Sequence, residues 1–580
     1  MTTTLTAPVR TVIARASGKG ILLQAPYDLK ETLKTLPGIR WDPSLKVWVL
    51  NETPGHARAV RDTLRSCGLK VMANAAFSDL LEVFEAPMPA NTALRPIPVT
   101  KQIPSPWPHQ VEAFWFAMEH PGCLLHMWMG TGKSRVAVDV LQNSVPKLTV
   151  IACPTTVMDV WPAEFRKYAV ANFRVIVPDR AKTIAERVER INVAIDATLL
   201  AGETPVVVIN YESLQREMLE WINAEERLEC VIYDEIHKVK DPHGVRSRAI
   251  GKLATKVPRR LGLTGTLMPH SPLDAFAQFR ALDQAVFGPS FSRYRARYAV
   301  LRQAPWGAHV IGYQRHEELR SLIGEITYTC DKSVLKLPEP VHVERKFSLG
   351  PVSRKIYDQL EKEFYAWLDE GKEVTADNAL VKLLRLRQTT SGYVKTNDDV
   401  EQRIGSEKAT VLQDVLEELG DQEPVVIFCQ FVHDLDRVHE AVRSLATCLT
   451  CGREYPAHAA GDCEWKPSYT SLELSGRRKD LAEWQQGAAP VLAVQIQSGG
   501  VGLDMTRARY CVYYSLGFNL GEYEQSLARV HRPPQTKNVV YVHLLAINTV
   551  DVKVQKALQD RKNVVEAVMN DRRGMAVVAV

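Results

Sequence analysis

The glycine-rich run Met129-Gly-Thr-Gly-Lys-Ser134 has the clearest chemical meaning in this sequence. An apolar segment precedes it, and a helical pattern follows it from Arg135. Glycines let backbone N–H groups close around a phosphate at a helix N-terminus, where the helix dipole favours negative charge. The usual first glycine of such loops would fall at Met127, so only the shorter core matches. The run predicts a phosphate-binding loop, with an ordinary glycine-rich turn as the alternative.

Each residue of this loop has an expected role in holding a nucleotide. Lys133 would reach the β- and γ-phosphates, and the Ser134 hydroxyl would bind Mg²⁺. The backbone of the preceding residues would surround the phosphates. The predicted nucleotide-binding residues of the loop are Met129, Gly130, Thr131, Gly132, Lys133 and Ser134.

Two adjacent carboxylates end an apolar run about 100 residues later, in Val231-Ile-Tyr-Asp-Glu-Ile-His237. Ligands of a parallel sheet bind at the carboxyl ends of its strands. Asp234 would therefore bind Mg²⁺, and Glu235 would polarise the attacking water. An isolated Asp-Glu pair is as often a solvated acidic turn. The order and spacing of the loop and the pair together favour a nucleotide hydrolase that uses Mg²⁺.

Short apolar runs alternate with helical stretches over most of the chain, which predicts an α/β fold with parallel sheets covered by helices. We count two such lobes, 106–335 and 336–580, preceded by a small α+β module, 1–75, and a proline-rich linker, 76–105. The runs expected to be buried strands begin at Val150, Val206, Cys230, Val425, Val491 and Tyr510.

Composition bounds the class of protein without identifying it. With 46% hydrophobic and 24% charged residues the chain is ordinary globular material. No apolar run approaches the ~18 residues of a membrane span. The ten cysteines are mostly scattered, which does not suggest a disulfide framework. We expect a soluble monomer of the cytoplasm and nucleoid, or of a nucleus, and the net charge of +5 permits a polyanionic partner without requiring one.

Several further motifs follow one another in a fixed order. The sequence from about Pro106 onward resembles the Swi/Snf-like branch of helicase superfamily two, with Asp-Glu-Ile-His as its acidic box. The resemblance implies two RecA-like lobes. The motifs that carry it are His109-Gln110, Cys153-Pro-Thr-Thr, Asn210-Tyr-Glu-Ser-Leu, Leu263-Thr-Gly-Thr266, Ile427-Phe-Cys-Gln-Phe, Gly499-Gly-Val-Gly-Leu-Asp504 and Gln525-Ser-Leu-Ala-Arg-Val-His-Arg-Pro-Pro-Gln535.

The resemblance implies a DNA-dependent ATPase and gives several residues a role. Arg529 and Arg532 would reach the γ-phosphate, where a guanidinium stabilises the charge of phosphoryl transfer. Without the other motifs, the two arginines would be an exposed basic helix face. The remaining implied residues are Gln110, Gly502 and Asp504 for the nucleotide, and Thr155, Thr266 and Ser498 for DNA.

The expected activity is translocation on duplex or branched DNA, with remodelling or annealing of forks. A strand-separating helicase or a restriction-type translocase is a second hypothesis, although no wedge element or nuclease is evident in the sequence. An ATP-gated nucleic-acid clamp is a third. The clamp would not need Lys133, Glu235 and the two arginines, all of which are present.

The N-terminal module has a resemblance of its own. Residues 27–50, which include Trp41 and Trp48, are similar to the HARP domain of annealing-helicase relatives. That similarity implies binding to branched DNA, with the two tryptophans able to stack on unpaired bases. The alternative is a packing cap in which both tryptophans are buried.

Three of the ten cysteines fall within 16 residues in the second lobe, in the order C-x₂-C-x₆-H-x₄-C. Four ligands of this kind suit a tetrahedral Zn²⁺ and leave no position for water. We therefore predict a structural zinc site in an insertion at about 446–466, with incidental cysteines as the alternative. Its ligands would be Cys448, Cys451, His458 and Cys463.

Overall fold

The computed structural model describes residues 11–82, 95–102, 104–178, 183–214, 216–269, 271–304, 307–369, 376–395, 401–454, 463–464, 466–497 and 503–569. The chain divides into two compact units, Met1–Val334 with Val564–Val580 and Leu335–Asn563. Within the first unit we call residues 11–82 the N-terminal module and residues 95–334 lobe one. The second unit is lobe two. No helix in the described part of the chain is long and apolar enough to cross a membrane.

The N-terminal module is a five-stranded sheet of order β3-β4-β2-β1-β5 with helices packed on it. The strand β1, which the sequence did not predict, lies inside the sheet and pairs antiparallel with β2 and parallel with β5. The apolar residues of β1, β2 and α2 form one buried cluster. The elements are β1 (Thr11–Ala16), β2 (Ile21–Gln24), α1 (Lys30–Leu33), β3 (Arg40–Asp42), β4 (Val47–Leu50), α2 (Pro54–Ser66), β5 (Lys70–Ala73) and α3 (Ala75–Glu82).

Lobe one is built on a seven-stranded sheet of order β14-β6-β11-β10-β7-β9-β8, in which every pair of neighbours is parallel. All six residues of β7 are buried, as expected for a strand covered on both faces. The strands are β6 (Gly122–Met127), β7 (Leu148–Cys153), β8 (Phe173–Ile176), β9 (Thr204–Asn210), β10 (Leu228–Asp234), β11 (Arg259–Thr264) and β14 (Thr327–Cys330).

Ten helices and a separate two-stranded hairpin complete the described part of lobe one. The hairpin consists of β12 (Ala299–Ala304) and β13 (Gly307–Tyr313), which pair antiparallel outside the main sheet. The helices are α4 (Pro108–Glu119), α5 (Lys133–Ser144), α6 (Val160–Tyr168), α7 (Ile184–Leu200), α8 (Arg216–Ala224), α9 (Val245–Leu253), α10 (Ala275–Leu282), α11 (Gln284–Phe287), α12 (Phe291–Tyr298) and α13 (His316–Glu325).

Lobe two has a six-stranded parallel sheet of order β15-β22-β21-β18-β20-β19. Its strands are β15 (Val341–Phe347), β18 (Val425–Cys429), β19 (Ser471–Leu474), β20 (Val491–Gln495), β21 (Tyr510–Tyr513) and β22 (Val540–Ala546). Its helices are α14 (Pro351–Asp369), α15 (Ala376–Thr390), α16 (Glu407–Leu419), α17 (Val432–Ser444), α18 (Leu481–Gln485), α19 (Leu520–Val530) and α20 (Val550–Met569), and a small hairpin pairs β16 (Tyr393–Lys395) with β17 (Glu401–Arg403). The prediction of two α/β lobes with parallel sheets is confirmed.

The N-terminal module is fixed to lobe one by buried charged groups. Arg297 on α12, 7% exposed, forms a two-pronged ion pair with Glu318 and donates to the Thr35 carbonyl and the Thr63 hydroxyl of the module. Fully buried His56 lies 3.4 Å from the Glu325 carboxylate. Burial alone would lower the pKa of His56, but the charge and hydrogen bond of Glu325 raise it above its usual value. These contacts make the module a packed part of the first unit.

The predicted proline-rich linker also makes defined contacts. Residues 75–82 form α3, whose Phe77 is buried in the module. Arg135, buried on α5, donates to the carbonyls of Lys101 and Pro104 and to the Thr100 hydroxyl. The described residues before α4 therefore run along α5. The exact domain boundaries remain a prediction.

Candidate active site

The glycine-rich loop connects β6 to α5 and has the backbone that its sequence requires. Gly130 and Gly132 have φ of 80° and 86°, in the left-handed region that favours glycine. A Cβ on Gly132 would lie 2.2 Å from Gln110 Nε2, so a side chain there would collide with α4. The helix begins directly after it, at Lys133. The predicted strand-loop-helix setting is thus present.

Two side chains of α4 contact the backbone of this loop. His109 Nε2 lies 2.9 Å from the Thr131 carbonyl, and Gln110 Nε2 donates to the same oxygen at 3.0 Å. Gln110 Oε1 accepts from the Trp107 N–H at 2.9 Å. Gln110, expected to bind adenine, therefore uses its amide here to hold the loop, and adenine binding stays a prediction.

Lys133 points back into the loop that precedes it. Its Nζ donates to the Met127 carbonyl at 2.9 Å and lies 3.5 Å from the Trp128 carbonyl. Burial and the Lys133 charge lower the pKa of nearby His126 to about 4, so that imidazole is neutral. The Lys133 ammonium is therefore held within the phosphate-binding loop. Its acceptors are backbone carbonyl oxygens, which a phosphate oxygen of a nucleotide can replace.

The acidic pair stands at the carboxyl end of β10. Glu235 is 1% exposed and has a φ of 54°, a conformation costly for a residue with a side chain. Its Oε2 lies 3.2 Å from His237 Nδ1 and 3.4 Å from Thr264 Oγ1. Thr264 Oγ1 is also 3.1 Å from His237 Nδ1. His237, in the short helical turn after β10, and Thr264, at the end of β11, thus fix the direction of the Glu235 carboxylate.

The two carboxyl groups differ in their electrostatic surroundings. Burial, and then the charge of Glu235, raises the pKa of Asp234 to about 7, against the opposing charge of Lys133. Burial would also raise the pKa of Glu235, but the hydrogen bond and charge of His237, with Lys133, lower it below its usual value. Glu235 is held ionised, whereas Asp234 lacks a sufficient counter-cation. The oxygen donors Asp234 and Ser134 suit a hard cation such as Mg²⁺.

His237 and Thr264 are functional residues to which the sequence analysis gave no role. Both lay inside motifs already recognised, the acidic box and the Leu263-Thr-Gly-Thr266 run. Their contact joins positions 27 residues apart through the pairing of β10 with β11. A polar residue at the end of the strand next to an acidic pair is the signal that could have identified Thr264.

The three predicted DNA contacts have different surroundings. Thr155 is exposed after β7, where its hydroxyl accepts from the Asn210 amide and donates to Glu212. Thr266 is 4% exposed, and its hydroxyl has no partner among the described residues. Ser498 lies outside the described residues. All three DNA contacts stay predictions.

In lobe two the predicted arginines stand at the end of α19. Arg529 is 7% exposed, and burial, together with the charge of Arg532, lowers its pKa to about 10 even though Tyr513 opposes this. Arg529 Nη1 and Arg532 Nε are both buried and find no hydrogen-bond acceptor in the described part of the chain. A buried guanidinium N–H without an acceptor is costly, so the pair is suited to an anionic ligand.

The other two predicted nucleotide-binding residues of lobe two, Gly502 and Asp504, precede α19 in the sequence. Asp504 is exposed, and its Oδ1 accepts from the N–H and hydroxyl of Thr506. Gln535 donates to the carbonyls of Thr506 and Ala508, which joins the end of the arginine motif to this turn. Gly502 lies outside the described residues. Nucleotide binding by Asp504 and Gly502 stays a prediction.

Three of the four predicted zinc ligands are brought together. One sulfur atom from each of Cys448, Cys451 and Cys463 lies within 4.8 Å of the others, and Cys448 Sγ is 3.5 Å from Cys463 Sγ. Gly452, with a φ of 72°, closes the turn through its N–H to the Cys448 carbonyl at 2.7 Å. Backbone N–H groups, that of Lys466 foremost, lower the pKa of Cys448 to about 5. The fourth, His458, lies outside the described residues.

Family models identify both halves of the chain. An SNF2-related domain matches residues 47–392, and a helicase conserved C-terminal domain matches residues 407–534. The first match begins within the N-terminal module, earlier than the Pro106 expected from the motifs. The Swi/Snf resemblance is confirmed, whereas the similarity to a HARP domain remains a prediction.

Two relatives found by sequence, and one solved structure of low similarity, are as follows. The SWI/SNF-related matrix-associated actin-dependent regulator of chromatin subfamily A-like protein 1 homolog of Caenorhabditis elegans is 24% identical over 92% of this chain and 72% of that protein. The DNA annealing helicase and endonuclease ZRANB3 of Bos taurus is 24% identical over 80% of this chain, which spans only 41% of that relative. The Sulfolobus solfataricus SWI2/SNF2 ATPase core in complex with dsDNA aligns with 81% of this chain at 20% identity and a TM-score of 0.34.

Proposed function

The chain belongs to the SNF2-related family, and from that premise we propose that it is an ATP-driven translocase acting on duplex or branched DNA. One observation supports ATP hydrolysis, the chemical step of this proposal. The charge of Lys133, in the phosphate loop, acts on the carboxyl groups of both Asp234 and Glu235, about 100 residues away in sequence. This interaction supports the assignment of both motifs to one nucleotide-hydrolysing site in lobe one.

Each residue has a distinct task in this proposal. The loop backbone and Lys133 bind the phosphates of ATP, and Asp234 with Ser134 binds Mg²⁺, which supplies positive charge against the phosphate oxygens. Glu235, kept ionised by His237, accepts a proton from the attacking water. Arg529 and Arg532 have the γ-phosphate as their partner.

DNA dependence is tested by phosphate release from purified protein without DNA and with single-stranded, duplex and forked DNA. We expect duplex or forked DNA to stimulate turnover. DNA binding should weaken steeply as salt rises, because phosphate neutralisation releases counterions. Stimulation by single-stranded DNA alone would favour the strand-separating helicase instead. Turnover that ignores every DNA would contradict both.

The ATP-gated clamp is disfavoured by the same geometry. A protein that binds ATP without hydrolysing it needs no ionised carboxylate beside the phosphate loop, yet His237 and Lys133 keep Glu235 charged despite its burial. Stoichiometric ATP binding without turnover, on every DNA tried, would restore the clamp.

We propose that the N-terminal module directs the motor toward branched DNA. Trp41 is 48% exposed and meets Trp48 edge to face, with ring centroids 5.2 Å apart, so its ring is available to stack on an unpaired base. Trp41→Ala should lower activity on forks more than on linear duplex. Equal losses of activity on forks and on linear duplex would contradict this role. Trp484→Ala would not be a suitable control, because the Trp484 ring is buried in the core of lobe two.

The three-cysteine cluster supports a structural zinc site, which we propose includes His458 as the fourth ligand. Protein purified without added zinc should contain about one equivalent of the metal. The double variant Cys448→Ser, Cys451→Ser should lose it and melt at a lower temperature. The matched control is Cys67→Ser, an exposed cysteine of the N-terminal module, which should keep the metal. Metal-free wild-type protein whose melting is insensitive to chelators would exclude the site.

A further inference from the structure

We propose that the hairpin of β12 and β13, together with the exposed face of α12, is a second site on lobe one that binds the phosphate backbone of DNA. The inference rests on the proposed DNA-dependent function and adds a site to it. Residues 291–315, which span these elements, contain five arginines and no lysine, aspartate or glutamate. Arg297 and Arg315 pair with Glu318, so the attraction for a polyanion rests mainly on Arg293 and Arg302.

Much of the described hairpin surface is exposed, since consecutive residues of β12 and alternate residues of β13 lie at the solvent. Val300 and Leu301 are 37% and 38% exposed on β12, and Ile311 is 62% exposed on β13. A two-stranded hairpin of this kind is marginally stable in water on its own. Something other than an apolar core must therefore hold it.

Its base is held by the buried network that also fixes the N-terminal module. The Gln314 N–H donates to the Tyr298 carbonyl at 2.9 Å, and Gln314 Nε2 donates to the Arg297 carbonyl at 3.0 Å. Arg297 is itself fixed by Glu318, which also accepts from the Tyr298 hydroxyl. The hairpin is thus a rigidly mounted element whose exposed strands are left without a covering partner among the described residues.

Two exposed arginines on this surface are available to an anion. Arg302 is exposed, forms no ion pair with a described residue, and lies directly opposite His309 in the strand register. Arg293, on α12, is also exposed. Arg302 therefore presents a guanidinium on the hairpin surface, and a phosphate oxygen is an acceptor that guanidinium groups bind well.

A β-bulge shapes the same surface. Val300 pairs with Gly312 and Leu301 with Val310, which leaves Ile311 as the extra residue of β13. Bulges increase local twist and redirect side chains, and they are common next to functional sites. Here the bulge leaves the Ile311 side chain exposed, two residues from His309. One strand can therefore offer an aliphatic and an imidazole side chain to the same ligand.

The test is binding of a blunt duplex, measured by fluorescence anisotropy over a range of salt concentrations. The double variant Arg293→Glu, Arg302→Glu should lose about tenfold in affinity at low salt, and the slope of log affinity against log salt should fall by about two. Arg302→Lys keeps the charge and should behave nearly as wild type. Arg216→Glu makes the same kind of charge reversal on α8, where Arg216 pairs with Glu220, and should bind DNA normally.

Basal ATPase without DNA and the melting temperature should be unchanged in all of these variants, because Arg293 and Arg302 are exposed and outside the nucleotide site. Wild-type affinity and salt slope in the double variant would overturn the inference. A loss of binding to an acidic polypeptide without a loss of binding to DNA would also overturn it. If the wild-type protein neither binds DNA nor is stimulated by it, the proposed function fails, and that result is distinct from the failure of the hairpin site.

Discussion

The nucleotide site of lobe one and the arginine pair of lobe two differ in whether their charged side chains have partners within the protein. In lobe one, Lys133 has carbonyl acceptors and Glu235 has His237 and Thr264. In lobe two, Arg529 and Arg532 each keep a buried N–H without an acceptor in the described residues. Lys133 and Glu235 are thus held by protein contacts, although Asp234 still lacks a cation, whereas the buried N–H groups of the arginine pair are satisfied only when an anion binds.

The difference teaches how a motor can separate binding from turnover. Groups that satisfy one another hold their geometry at all times and can bind the substrate first. Unsatisfied cations gain most when negative charge develops, which is the condition of phosphoryl transfer. We therefore expect variants of the two regions to differ in which quantity they change: nucleotide affinity, turnover or stability.

The largest effect should come from the arginines. Arg529→Ala and Arg532→Ala should each lower kcat by about 10³ or more while the dissociation constant for ATP changes little, because such an arginine acts mainly in the transition state. Steady-state kinetics combined with fluorescent-nucleotide binding measures both quantities. A kcat near the wild-type value in both variants would break the comparison.

Next in size are the variants of lobe one. Lys133→Ala should lose both ATP affinity and turnover, whereas Glu235→Gln should retain nucleotide binding and lose turnover by about 10² to 10⁴, because it removes the base and keeps the shape. Phosphate release and nucleotide binding separate the two. Unimpaired DNA-dependent hydrolysis in either purified variant would refute the site.

The smallest expected effect is on stability, and it compares two arginines of lobe two that differ in their hydrogen-bond partners. Arg529→Met should raise the melting temperature of nucleotide-free protein by about 2 °C, because it removes a buried cation without a partner. The matched control is Arg507→Met, whose guanidinium donates to the carbonyls of Trp484 and Ala489 and whose loss should lower the melting temperature. Destabilisation by both variants would show that Arg529 has a structural partner.

The sequence predicted the parts that depend on local patterning. The phosphate loop and the acidic pair were identified because glycine spacing and a strand-ending Asp-Glu carry their chemistry in a few consecutive residues. The apolar runs from Val150 to Tyr510 were all confirmed as strands, since strands buried on both faces leave a continuous signal.

Features formed between distant segments could not be predicted in the same way. The contact of Arg297 with Thr63 joins residues 234 positions apart, and that of Arg135 with Thr100 joins a helix to a proline-rich segment. No spacing rule marks either arginine as an anchor. The hairpin of β12 and β13 was also missed, because its alternation is weak and its stability depends on the anchoring of its base.

We expect the contacts that bind the N-terminal module to lobe one to hold the two together even without the peptide link between them. Glu325 accepts from both the Thr53 hydroxyl and the Gly55 N–H, and Arg297 bonds to the module at two further points. A protease that cut the chain between residues 83 and 94 would therefore leave two polypeptides that still purify as one particle. Residues 1–82 and 95–580, expressed as separate chains in one cell, should likewise associate. The module would then behave as a subunit that is bound without a covalent link.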